Sequence, residues 1–165
     1  MSIQRSPLLQ TTSYEEVYSA ITSLQPRTLV IDVEPLVCQW KTGQEQLDDG
    51  LRSLLSRLRE DEQLLQRIWF LTNSARVPSK TPASDGIAVT YVTNARKPWL
   101  RLDALRSSPS PIVVVGDQVL TDGCLAWRLK APFVQVPIPP GASSAVRTQR
   151  QVGDILRRCL FSRPG

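Results

Sequence analysis

No histidine occurs anywhere in the 165-residue chain. That absence excludes hydrolysis by a Ser-His-Asp or Cys-His arrangement and any zinc site built on imidazole. Cysteine is scarce too: Cys38, Cys124 and Cys159 are an odd number with no Cys-x-x-Cys spacing. Such a set reads as small buried hydrophobes in a cytoplasmic or equivalent reducing compartment, not as a disulfide framework or a thiolate metal site. Aromatic residues are 6% of the chain and nowhere interleave with cations as on an RNA-binding sheet, so nucleic acid is not an expected partner. No apolar run approaches the ~18–20 residues of a membrane span. Residues 1–12 carry Arg5 and a short apolar patch, Pro7-Leu8-Leu9. They make neither a secretory signal nor an Arg-rich transit peptide and are read as a lead-in to one domain filling the chain.

Charge is present but unevenly placed. Residues 1–85 hold nine Lys/Arg against eleven Asp/Glu, whereas residues 86–165 hold eleven against four. A basic second half suits phosphate, an anionic membrane surface reached peripherally, or an acidic protein partner.

Short β-branched runs alternate with longer Leu-rich stretches. Ser13-Tyr14-Glu15-Glu16 is a capping box opening a helix to about Leu24. Leu47, Leu51, Leu54, Leu55 and Leu58 recur at spacings of three and four, predicting an amphipathic helix over 44–66. Further helices are expected from Pro98, at Thr121–Lys130, and at Ser144–Phe161 within a basic segment 142–165. In the last, Val152, Ile155, Leu156, Cys159 and Leu160 are expected to form a packed side, with Arg147, Arg150, Arg157, Arg158 and Arg163 solvated. Strands are expected at 28–31, 68–71, 87–92, 112–115 and 133–138. Continuous apolar strands alternating with helices predict an α/β fold: a single Rossmann-like domain, a mainly parallel sheet of about five strands with helices on both faces.

In such sheets the ligand sits beyond the carboxyl ends of the strands. Those ends carry Asp32, Thr72-Asn73-Ser74 and Gly116-Asp117, with Arg96-Lys97-Pro98 between the last two. Carboxylates from separate strands without histidine suit Mg²⁺ rather than zinc, and Mg²⁺ with a lysine suits a phosphoryl group. An aspartate can act as nucleophile and form an aspartyl-phosphate.

The ordered set Ile31-Asp32-Val33-Glu34, Phe70-Leu71-Thr72-Asn73-Ser74, Lys97-Pro98 and Gly116-Asp117-Gln118-Val119-Leu120-Thr121-Asp122 resembles the haloacid dehalogenase-like (HAD) phosphatase superfamily. More narrowly it resembles the YqeG branch, which includes phosphatidylglycerophosphate phosphatases. The resemblance implies that Asp32 is the nucleophile and a metal ligand, that Glu34 is general acid and base, and that Thr72 and the Asn73 amide hold phosphoryl oxygens. It further implies that Lys97 neutralises charge on nucleophile and phosphoryl group, that Asp117 binds Mg²⁺, and that Asp122 binds the metal or orients its waters. Arg128 is expected to pair with the Gly116-Asp117 loop.

The branch reads Asp-x-Asp-Asn-Thr-Leu where this chain reads Asp32-Val33-Glu34-Pro35-Leu36-Val37. Glu34 keeps the acid but extends it by one methylene, Pro35 removes a backbone N–H, and Leu36 replaces a hydroxyl. The 40 positions from Asp32 to Thr72 and the 25 from Thr72 to Lys97 leave no room for a cap domain. An open site suits phosphate on a bulky or membrane-bound substrate, such as a phospholipid headgroup. Two readings follow: an Mg²⁺-dependent phosphomonoester hydrolase, or a catalytically weakened relative that binds or regulates.

Overall fold

A computed structural model of the chain describes residues 6–40, 42–61, 64–140, 142 and 144–162. The elements in order are β1 (Ser6–Gln10), α1 (Tyr14–Leu24), β2 (Thr28–Asp32), α2 (Gln44–Asp61), β3 (Arg67–Leu71), β4 (Ala88–Val92) and α3 (Asp103–Arg106). They continue with β5 (Ile112–Gly116), a π-helical turn (Val119–Gly123), α4 (Cys124–Leu129), β6 (Phe133–Gln135), α5 (Ser144–Leu160) and β7 (Phe161–Ser162). All strand pairings of the sheet are parallel, in the order β4-β3-β2-β5-β6-β1-β7. The fold is the expected α/β, Rossmann-like one.

Apolar residues on both faces of each strand explain why both faces are covered. Leu29 and Ile31 of β2, with Val113 and Val115 of β5, face a core closed by Val17 and Ile21 of α1 and by Leu47, Leu51, Leu54, Leu55 and Leu58 of α2. The intervening Val30 and Val114 face the opposite core, with Leu105 of α3 and Leu125 and Ala126 of α4. This is the period-two alternation of a strand sandwiched between helices.

Several boundaries differ from the sequence expectations. The supposed lead-in contains β1, which pairs with β6 through Leu8↔Phe133 and with β7 through Pro7↔Ser162. Pro7 disguised this strand, because proline inside a run argues against a central strand and this one lies near the sheet edge. With β7 also unforeseen, the sheet is wider than its five legible runs. No helix opens at Pro98. Arg96 has a φ of 54° and Trp99 N donates to Arg96 O at 2.8 Å, so the chain turns there and α3 begins only at Asp103. The helix expected from Thr121 begins as the π-helical turn, and the strand expected to reach Ile138 ends at Gln135.

The last helix is the largest departure. Part of its expected packed side is exposed: Val152, Ile155 and Leu156 retain 44%, 73% and 40% of their surface, whereas Leu160 packs against the core. Gly153 is the residue turned inward, and a Cβ built on it would lie 3.0 Å from Val119 Cβ. Arg163 lies outside the described residues, as do the side chains of Arg158 and Cys159. Among the described residues no helix is long and apolar enough to cross a membrane.

Candidate metal centre

The chain order reverses between β2 and β5, neighbours in the sheet that continue outward to β3 and β6 respectively. The crevice beyond the carboxyl ends of such a pair is where α/β sheets bind ligands. Here it receives Asp32 from the end of β2 and Asp117 from the residue after β5. The π-helical turn returns Asp122 to the same place: Asp122 N and Gly123 N both donate to Gln118 O, at 2.9 and 3.1 Å. Carboxylate oxygens of Asp32, Asp117 and Asp122 all lie within 4.8 Å of one another. Asp122 packs so closely on β5 that a Cβ at Gly116 would meet its carboxyl carbon at 2.4 Å. Gly116→Ala is therefore expected to displace Asp122. Overpacking of this kind costs about 1–3 kcal/mol; thermal melts should show a loss of that size together with weaker cation binding.

Lys97 enters the cluster from the loop after β4. Its ammonium lies 2.7 Å from both Asp32 Oδ1 and Asp122 Oδ1, with the lysine side chain almost wholly buried. Burial opposes the lysine's charge, but the carboxylates of Asp122 and Asp32 outweigh it and hold its pKa above the ordinary range. The Asp32 carboxyl is raised well above its usual pKa by burial and by the neighbouring Asp122 charge, against the opposing pull of Lys97. Asp117, 1% exposed, is pushed up to about 7 by burial and by Asp122. One ammonium does not neutralise three buried carboxylates.

Both carboxylate oxygens of Asp117 are buried with no hydrogen-bond partner. Buried ionisable oxygens are nearly always paired, and a cation is one explanation for a pair that is not. The donor set is all oxygen; Cys124, beside the turn, has its thiol pKa raised by burial and by Asp122, which disfavours thiolate ligation. The aspartate triad thus fits a metal ion held by oxygen ligands, and it is the only such group of three or more among the described residues.

A pocket of about 160 Å³ opens over Asp32, lined also by Glu34, Trp40, Thr72, Asn73, Ser74, Arg76, Lys97, Gln118 and Thr121. Every residue expected at the site is therefore brought to one place, though some with different contacts. Asn73 braces the lysine loop: its Oδ1 accepts from Lys97 N at 2.8 Å and its Nδ2 donates to Lys97 O at 3.4 Å. The Thr72 hydroxyl donates to Glu34 Oε2 at 2.8 Å, and Ser74 Oγ reaches Glu34 Oε1 at 3.4 Å. Arg76 Nη1 lies 3.6 Å from the same Oε1. The Glu34 carboxylate thus lies in a nest of donors after β3.

Sequence reasoning missed Arg76, Trp40 and Arg150. Arg76 clasps the segment after Glu34, donating to the carbonyls of Gln39, Thr42 and Gly43 at 2.9–3.2 Å. Arg150, expected in solvent, donates to Asp117 O at 2.5 Å and Val136 O at 3.2 Å. Arg128 does not pair with the Gly116-Asp117 loop; it donates to the carbonyls of Pro98 and Leu100 and so fixes the lysine loop. Arginines that bind backbone carbonyls leave no sequence signature, because any segment offers carbonyls. No family model, curated protein or solved structure matches this chain.

Proposed function

We propose that the protein is an Mg²⁺-dependent phosphomonoester hydrolase of the haloacid dehalogenase-like type, working through an aspartyl-phosphate on Asp32. The observation that carries this reading is the meeting of Asp32, Asp117, Asp122 and Lys97 at one strand-end crevice beneath an open pocket. Of the three aspartates Asp32 is the one that lines the pocket, which supports assigning the attack to it. Asp32, Asp117 and Asp122 would hold Mg²⁺, which when bound supplies positive charge against the phosphoryl oxygens and the carboxylates.

A carboxylate oxygen of Asp32 attacks phosphorus while the bond from phosphorus to the leaving oxygen breaks. The leaving oxygen takes a proton from Glu34, and Lys97 balances the charge gathering on Asp32 and the phosphoryl group. Water then attacks the same phosphorus, returning its proton to Glu34, and the aspartyl–phosphate bond breaks to free Asp32 and inorganic phosphate. Thr72 and the Asn73 amide, which line the same pocket, would hold the phosphoryl oxygens.

A phospholipid phosphate is the substrate class we favour. Trp99, two residues beyond Lys97, is 81% exposed and flanked by exposed Arg96 and Arg101. Exposed tryptophan beside cations suits the headgroup layer of an anionic bilayer, as does the bare ridge of α5.

The second reading, a cation-binding relative without turnover, is favoured by one observation. The Glu34 oxygens are already engaged by Thr72, Ser74 and Arg76.

The test is phosphate release by the purified protein with Mg²⁺, from an aryl phosphate and from a lysophosphatidylglycerophosphate-type lipid in anionic or neutral vesicles. The expected result is release that disappears with chelator and with Asp32→Asn, and lipid turnover that is greater, and salt-sensitive, on anionic vesicles. Release that survives Asp32→Asn contradicts the mechanism. Equal turnover on both vesicle types contradicts the membrane component alone.

A further inference from the structure

We infer that Arg150 is a positioning residue of the aspartate centre, through which docking of the C-terminal helix and cation binding support one another. The inference rests on the proposal that the three aspartates hold a cation, and goes beyond it in making α5 part of the centre.

Two independent contacts carry it. The first is Arg150 itself. Its guanidinium bridges the ends of two adjacent strands, since it binds Asp117 O after β5 and Val136 O after β6. Val136 N in turn donates to Gly116 O at 2.9 Å. Gln135 Nε2 approaches the same Asp117 carbonyl at 3.3 Å. Asp117 therefore has its backbone carbonyl held by two side chains while its carboxylate, near the Arg150 and Lys97 charges, has no hydrogen-bond partner. Fixed backbone with a free carboxylate is the arrangement expected of a ligand prepared for an ion.

The second contact is Gly153, one helical turn further along α5. The absence of a side chain there lets the helix approach Val119, which opens the π-helical turn ending beside Asp122. One helix thus abuts both segments that present Asp117 and Asp122.

The outward side of α5 has a different character. Val152, Ile155 and Leu156 are exposed there, whereas Asp154 and Arg157, paired at 3.6 Å, lie on the Arg150 side. Apolar anchoring is concentrated at its C-terminal end, where Leu160 and Phe161 join the core, so the attachment of the rest of the helix depends heavily on the Arg150 and Gly153 contacts. An element attached weakly, at a site prepared for an ion, is one whose docking an ion can shift. Coupling of this kind is reciprocal: whatever factor helix docking adds to cation affinity, the cation adds to docking.

The experiment measures Mg²⁺ binding to the full chain by calorimetry and amide hydrogen exchange of α5 with and without Mg²⁺. It compares wild type, Arg150→Met, Arg150→Lys and, as a control at an exposed position of the same helix, Arg147→Met. Groups that orient metal ligands typically change affinity by ~10–100-fold when removed. Arg150→Met is expected to weaken Mg²⁺ binding by that factor and to abolish the slowing of α5 exchange that Mg²⁺ causes in wild type. Arg150→Lys, which can still donate to one carbonyl, should recover part of both effects, and Arg147→Met should match wild type. A purely architectural arginine would lower the melting temperature but leave the affinity of the folded protein and the Mg²⁺-dependent exchange unchanged; that result overturns the inference. Should Arg150→Met fail to fold, Arg150→Lys with wild-type affinity and wild-type exchange overturns it equally. Wild type that binds no Mg²⁺ removes the cation reading itself, and is recognised because no variant is needed to see it.

Discussion

Replacing Asp117 by asparagine should stabilise the metal-free protein and at the same time abolish its stabilisation by Mg²⁺. The side chain is buried, both its oxygens lack hydrogen-bond partners, and the Asp122 charge lies close by. Leaving a buried polar group unpaired costs about 1–3 kcal/mol, more when it is charged. Asparagine removes the charge at nearly constant volume. In a chain of this size each kcal/mol moves the melting temperature by about 2–4 °C, so a gain of roughly 2–12 °C is expected in chelator.

The effect should also depend on pH, with a definite sign. The Asp117 carboxyl is raised from 3.8 to about 7 in the folded state. Between those values the folded protein keeps a proton that the unfolded chain has released, so stability from this group falls as pH rises. It is complete below pH ~4 and is lost as the pH passes about 7. The advantage of Asp117→Asn over wild type in chelator should therefore be small at pH 5 and large at pH 8. Saturating Mg²⁺ should reverse the order at pH 8, because the ion binds the deprotonated carboxylate and stabilises the folded state by mass action. Melting curves of the two proteins at both pH values, with chelator or Mg²⁺, decide the matter. An Asp117→Asn protein less stable than wild type in chelator at pH 8 would show that the carboxylate has a partner within the chain.

Much of this centre was legible in the sequence because strand-end chemistry is local. Val30-Ile31 and Val113-Val114-Val115 can only be buried strands, and the residues immediately after them must emerge at the same edge of a parallel sheet. Asp32 and Asp117 follow from that, and Asp122 from the helical turn behind Asp117. Lys97 was placed correctly although its helix was not: the residue needed only a loop at the sheet edge, which Arg96 at φ 54° and the Asn73 brace provide. The illegible parts are those where distant segments meet through backbone carbonyls, as at Arg76, Arg128 and Arg150. The α5 surface misled for a related reason. Val152, Ile155 and Leu156 have the spacing of a buried stripe, but the side chain that decides which face packs is the missing one at Gly153.

Glu34→Asp should raise turnover of alkyl phosphates by roughly 10–100-fold while changing aryl phosphate turnover little. An alkoxide is a poor leaving group and needs a proton as the bond to phosphorus breaks; general acid catalysis typically supplies ~10²–10⁴-fold. An aryl oxide leaves without much help and conceals a misplaced acid. Glu34 reaches Thr72 at 2.8 Å and approaches Ser74 and Arg76, so its carboxylate is engaged by donors that line the same pocket. Aspartate is shorter by one methylene, more than ~1 Å, and a displacement of about 1 Å can be worth ~10² in rate. Shortening the side chain frees the carboxyl group from these donors and releases the Thr72 hydroxyl for a phosphoryl oxygen, two changes that favour the same step. Wild type should accordingly cleave the aryl ester slowly and the alkyl ester far more slowly. If Glu34→Asp instead lowers both rates and Glu34→Gln eliminates the alkyl reaction, the longer acid is the working one and the segment around Pro35 and Leu36 has adapted to it. Wild type and Glu34→Asp both inert toward either ester, with Mg²⁺ bound, would reject hydrolysis and leave a cation-binding protein that keeps the aspartate centre without turnover.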